Sequence, residues 1–245
     1  MKIAVCISGI CRGDVSRNIN ALKNRFPTAD FFYGTWKGRE EGMANIPGKP
    51  KFFTFDEPEM HYHPLTDQEP DFIKNYGPKI NSQYKQFRLK PKMIERTKHH
   101  TKQILAHAYM LQEIDPSYDM IVRARFDTWV TPQVNFNPCL IDSYEMKRSI
   151  GFGVRGSRHR DINKLKDVPK VYPDENYTGS QDWGWYLMDP LIMHRRDTFD
   201  IDYALQLHRD KKLLPAEWGW YQVLSEPFGD NHRSIYGGAQ IEKYL

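Results

Sequence analysis

Cysteine is scarce: Cys6, Cys11 and Cys139 are the only three in 245 residues. Their odd number excludes a fully paired disulfide framework, and their spacing fits no cysteine zinc site. A reducing, cytoplasmic setting is therefore expected. The chain has no apolar run of the roughly 18–20 residues that spans a bilayer. The apolar start Met1–Cys11 is interrupted by Ser8 and Gly9 and offers no cleavage-like site, so it reads as a buried strand rather than a signal or anchor. A large excess of either charge is missing too: 35 basic residues face 31 acidic ones, for a net charge of +4. Lysine and arginine are scattered rather than gathered in one stripe, so nucleic acid is not an expected partner. Local basic clusters at Lys85–Lys102 and Arg155–Lys170 suit an anionic substrate or a solvated face. The Ser8–Gly13 loop is neither a Walker A nor a GxGxxG phosphate loop, and the chain shows no internal repeat or low-complexity tract.

Hydrophobic residues make up 40% of the chain and aromatics 13%. One domain over residues 1–245 can bury a sizeable core with that composition. Lys2–Ile7 is a continuous apolar run ending in Ser8-Gly9, the pattern of a central parallel strand. Val15, Ile19 and Leu22 are spaced for one face of a helix over Val15–Arg25. Strands are expected at Ala29–Tyr33 and Lys51–Phe55. Residues 57–91 hold five prolines (Pro58, Pro64, Pro70, Pro78 and Pro91) and read as a long irregular insertion or lid. A helix follows over Ile94–Ile114, stopped by Asp115-Pro116. Met120–Ala124 and Ser149–Val154 read as strands, Trp185–Leu191 as a short strand or turn, and Ile201–Lys211 as helix. Another helix is expected within Ala216–Leu224, and an irregular tail from Phe228. The β-α-β-β opening indicates an α/β sheet rather than a bundle or a sandwich.

Three segments carry side chains suited to chemistry. Met120–Ala124 delivers Asp127 to the end of a strand, with Arg123 and Arg125 before it. Ligands of open α/β sheets bind beyond the carboxyl ends of strands. A carboxylate there can hold a divalent cation, and arginines there can grip phosphate. The same residues also suit an ordinary ion pair closing a strand. Ser8-Gly9-Ile10-Cys11-Arg12-Gly13 follows the first strand, where two glycines permit close backbone approach and Arg12 can meet phosphate or an acid; a plain tight turn fits equally. Gly179–Trp185 sets Asp182 and Trp183 among glycines and aromatics, an arrangement that suits a sugar ring. His61/His63 and His99/His100 lack the companions of a zinc site.

Ser8-Gly9-x-x-Arg12, then Asp30-Phe31-Phe32-x-x-Thr35-Trp36, resembles the amino-terminal signature of lipopolysaccharide- and capsule-type glycosyltransferases of GT-A fold. Tyr118-Asp119-x-Ile121-Val122-Arg123-x-Arg125-x-Asp127 is similar to a later strand of the same group. The likeness covers residues 1–36 and 94–130. It implies a GT-A-like (Rossmann-type) α/β fold, with a mixed, mostly parallel central sheet flanked by helices. It also implies transfer of a sugar from a nucleotide-diphosphate sugar to a glycan or other hydroxyl acceptor. The implied donor-binding residues are Ser8, Gly9, Arg12, Arg123, Arg125 and Asp127. The implied metal is Mg²⁺ or Mn²⁺, on Asp127 and a carboxy-terminal histidine, His232. Asp182 and Asp127 are the implied catalytic residues, with Trp183 and Glu217 on the substrate. Glu217 would serve equally well in a first helical turn, where it stabilises the dipole. This chain departs from the group's acidic pair, because Arg125 stands two residues before Asp127; either Asp127 would hold the metal with waters and a distant ligand, or Arg125 would replace part of the cation's charge. Alternatives are another nucleotide-dependent transferase, such as a sulfotransferase, and a non-catalytic carbohydrate- or nucleic-acid-binding domain. Oligomeric state is left open.

Overall fold

Why the first strand is apolar on every residue is explained by its neighbours. β1 (Ile3–Ser8) is buried along its whole length, between a parallel β2 (Asp30–Trp36) and a parallel β4 (Met120–Ala124). A computed structural model describes residues 1–60, 91–130, 149–153, 190–210, 219–220, 223–224, 232–236 and 239–241. The other described elements are α1 (Val15–Arg25), β3 (Phe53–Phe55), α2 (Pro91–Glu113), β5 (Thr128–Val130) and β6 (Ser149–Gly153). They are followed by β7 (Leu191–Arg195), α3 (Ile201–Arg209), β8 (His232–Tyr236) and β9 (Ala239–Ile241). Seven strands form one sheet in the order β3-β2-β1-β4-β7-β6-β8, and β5 pairs with β9 in a second. Only β7 runs against its neighbours, so the large sheet is mixed and mostly parallel.

Side chains alternate across that sheet and divide the core in two. Val5, Ile7 and Val122 meet Val15, Ile19 and Leu22 of α1 on one face. Ala4, Cys6 and Ile121 meet Ile104, Leu105, Ala108 and Leu111 of α2 on the other. Ile19 and Leu22 are wholly buried, which contributes roughly 1.5–3 kcal/mol apiece. Asp14 caps α1 by accepting from the Arg17 amide at 3.2 Å.

α1 and β4 have the bounds expected from sequence. α2 begins earlier than expected, at Pro91, the last proline of the supposed insertion. Proline suits a first helical turn because its missing N–H has no partner there. Of the short strand or turn expected at Trp185–Leu191, residues 185–189 are outside the described residues; β7 lies at Leu191–Arg195, which opens on the apolar run Leu-Ile-Met. The tail read as irregular contains β8 and β9. Both are short, and His-Arg-Ser-Ile-Tyr has no clean alternation to announce an edge strand. Within 57–91, residues 61–90 lie outside the described residues; Glu57 is tied to Arg39 at 3.1 Å and to Lys102 of α2 at 2.7 Å.

Candidate functional site

β1 and β4 are adjacent and parallel, so the segments leaving their carboxyl ends emerge side by side. After β1, Gly9 takes a φ of 114° and donates its amide to the Gly34 carbonyl at 3.1 Å; Gly13 has a φ of 83°. Both angles favour glycine, and they bend the chain so that Arg12 reaches across to the turn after β4. That turn, Arg125-Phe126-Asp127-Thr128, is held from three sides. The Thr128 amide donates to the Arg125 carbonyl at 3.1 Å. The Thr128 hydroxyl accepts from the Arg125 amide and donates to the Pro190 carbonyl at 2.8 Å. Asn18, on the buried face of α1, donates to the Phe126 carbonyl at 3.1 Å.

Asp127 stands at the centre, 5% exposed. Arg12 Nε donates to Oδ2 at 2.8 Å. Arg125 forks onto both oxygens, Nε to Oδ1 at 2.7 Å and Nη2 to Oδ2 at 2.8 Å. Burial by itself would raise the Asp127 pKa. The charges and hydrogen bonds of Arg125, then of Arg12, outweigh it and hold the carboxyl below its ordinary value. The cluster keeps one net positive charge, since two guanidiniums surround one carboxylate.

Arg123 is not part of this cluster. Strand alternation turns it onto the α2 face, where it is wholly buried, 4.6 Å over the Trp220 ring. Its Nη2 donates to Gln103 Oε1 at 2.8 Å, and Arg125 Nη1 approaches the same oxygen at 3.5 Å. Arg123 thus supports Arg125 from behind through Gln103. Ser8 is buried at the end of β1, and its hydroxyl has no hydrogen-bond partner among the described residues. The backbone of His232 opens β8, three strands from β4, roughly 14 Å across the sheet. It is level with Ser149, His194 and Ile121, toward the end of the sheet opposite Asp127. Asp182, Trp183 and Glu217 lie outside the described residues.

Among the described residues, the surroundings of Asp127 do not fit a cation on it. Both of its oxygens accept guanidinium N–H bonds, and His232 is set apart from it. Among the described residues no three His, Cys, Asp or Glu side chains converge as a metal-binding group.

Sequence reasoning passed over Gln103, Thr128, Asn18 and Gly42. Asn18 had a signal, a polar residue in the apolar stripe Val15-Ile19-Leu22. Gly42, in the 3₁₀ turn Glu41–Asn45, had none: it is small because the Arg12 loop rests on it. A Cβ at position 42 would run into the Cys11 carbonyl oxygen and come within 2.8 Å of Cys11 Cβ and 2.9 Å of its Sγ. Gly42→Ala is therefore expected to lower stability by about 1–3 kcal/mol through overpacking. Urea unfolding checks this; an unchanged midpoint would mean the loop yields freely. Burial pushes the Cys11 thiol up to about 11, so it is a packing group rather than a nucleophile.

No family model and no curated protein matches the chain. Solved structures do. The 4-diphosphocytidyl-2C-methyl-D-erythritol synthase of Anaerococcus prevotii superposes with a TM-score of 0.51 at 10% identity, over 96% of this chain and 89% of that one. The fold is GT-A/nucleotidyltransferase-like. Core-mannan synthase A of Aspergillus fumigatus, in its Mn/GDP form, is a looser match: TM-score 0.47, 10% identity, 95% of this chain and 72% of that one. Mouse xyloside xylosyltransferase 1 is looser still, with a TM-score of 0.38 and 10% identity over 96% of this chain and 84% of that one. At such identities the likeness is one of fold.

Proposed function

We propose that this protein is a nucleotide-sugar-dependent glycosyltransferase that moves a sugar from a nucleotide-diphosphate sugar to a glycan or other hydroxyl acceptor. The observation that carries this reading is the Arg12–Asp127–Arg125 cluster at the carboxyl ends of β1 and β4. It sits where α/β sheets of this kind receive ligands. The Ser8–Gly13 loop beside it gives a diphosphate room to approach the backbone. As the sugar–phosphate bond breaks, negative charge grows on the leaving nucleoside diphosphate, and fixed guanidiniums stabilise it without reorganising. Asp127 orients both arginines, and Arg123 backs Arg125 through Gln103.

For an inverting transfer, Asp182 takes the proton from the acceptor hydroxyl; for a retaining one it orients the sugar. Trp183 offers the sugar an aromatic face and Glu217 a hydrogen-bond acceptor. Calorimetric titration with UDP, GDP and CDP tests the donor half, and silence toward all three would sink the reading. Asp182→Asn is expected to cut turnover about 10²- to 10⁴-fold, the usual contribution of a positioned base, while nucleotide affinity stays nearly unchanged. Loss of nucleotide binding in that variant would move Asp182 from the acceptor side to the donor side.

A further inference from the structure

Resting on the glycosyltransferase reading, we infer that the diphosphate is received directly by the Asp127-organised arginine pair, in the place a divalent cation would otherwise take. The two arginines are held differently. Arg125, with a side chain 12% exposed, has Nε and Nη2 on Asp127 and Nη1 near Gln103. It is fixed, and its positive charge is permanent. Arg12, with a side chain 52% exposed, is anchored through Nε alone. Among the described residues nothing accepts a hydrogen bond from its two terminal NH₂ groups. An anchored guanidinium with its outer fork unengaged is matched to an anionic oxygen pair.

A dication would meet the opposite situation. To reach Asp127 it must displace Arg125 from both oxygens and Arg12 from one, and then stand beside two positive charges. A diphosphate needs no such displacement: it adds to the outer fork of Arg12 and leaves the Asp127 bonds intact. Asp127 is then a positioning residue, and Arg12 the group that touches the ligand.

The test is calorimetric titration of the full chain with UDP, GDP and CDP, in EDTA and then in excess Mn²⁺. For whichever diphosphate binds, the affinity is expected to agree within about twofold between the two buffers. Arg12→Gln is expected to weaken binding in EDTA about 10- to 100-fold, the loss of a charge-assisted hydrogen-bonding fork. Arg12→Lys is expected to restore only part of it. Arg12 is half exposed, so the variants should fold as the wild type does, which circular dichroism checks. Binding that appears only with Mn²⁺, or an Arg12→Gln variant that binds diphosphate as well as the wild type, overturns the inference and leaves the glycosyltransferase reading standing. Silence in both buffers overturns that reading, and this inference with it.

Discussion

Asp127→Ala is expected to lower the melting temperature by several degrees and to weaken nucleotide binding severely. The carboxylate is nearly out of water and accepts three guanidinium bonds between 2.7 and 2.8 Å. Removing one partner of a buried ion pair costs about 3–5 kcal/mol, because the remaining charge is left uncompensated. The Arg12 arm contributes less, since that side chain is half in solvent and its charge is screened. Arg125 is the partner left stranded, so a value near the bottom of the range, about 3 kcal/mol, is expected. For a chain of this size that corresponds to roughly 6–12 °C in melting temperature. Nucleotide affinity falls because the two arginines lose the group that aims them, although the site gains net positive charge. Glu113→Ala, at the far end of α2, is the control and should leave affinity unchanged. Asp127→Asn keeps the shape but not the charge, and should lie between the two in stability. If Asp127→Ala melts and binds like the wild type, the carboxylate does not organise the arginines, and the site has been drawn around the wrong residue.

Residues that interact along the chain were the ones legible beforehand. The α1 bounds followed from a 3.6-residue stripe, and β4 from an apolar run between Asp119 and Arg125 that only Arg123 interrupts. Contacts across the chain were not legible. Nothing in the sequence says that Arg12 meets Asp127, 115 positions away, or that Arg123 stays under α2 while Arg125 turns to Asp127. Alternation alone would put two arginines two residues apart on one face; they part because Arg123 lies in the strand and Arg125 in the turn beyond its end. The signature residues divide in the same way. Tyr118 donates to Asp30 at 2.8 Å and packs edge-on against Phe32 at 5.5 Å. Trp36 packs against Phe55 and Tyr109. These residues hold strands together, and only the Arg12 and Arg125–Asp127 portions reach the ligand end. The short strands β8 and β9 were missed because three to five residues of mixed polarity have no period to detect, and pairing across the chain makes them strands.

A loss of stability between pH 6.5 and 5 is expected from a pair of histidines in the core under α2. His107 of α2 and His194 of β7 are wholly buried, with their Nε2 atoms 3.0 Å apart. His194 Nδ1 lies 2.7 Å from the Arg195 carbonyl, which accepts and so assigns the His194 proton to Nδ1. His194 Nε2 is then the acceptor, and His107 donates to it. That bond needs a neutral His194. Burial depresses the His107 pKa well below its ordinary value, helped by the charges of His194, Arg123 and Arg196. Burial likewise lowers His194 to about 4, with Arg196 adding to the effect, against the Arg195 carbonyl bond and Asp197. Below pH 6.5 the unfolded chain takes up protons that the folded one refuses, so stability falls as pH drops. The loss saturates only near the folded pKa. For His194 alone it amounts to about 3 kcal/mol in full, and roughly 2 kcal/mol by pH 5. Urea unfolding at pH 7, 6 and 5 measures the slope. The double variant His107→Phe/His194→Gln is expected to flatten it, whatever its absolute stability. An equally steep slope in the variant would mean that the protons are taken up elsewhere. The pair also bears on the ligand end: Trp220 packs edge-on against His107 at 5.4 Å and carries Arg123 over its ring. A proton placed on either histidine therefore repels the arginine that, through Gln103, supports Arg125.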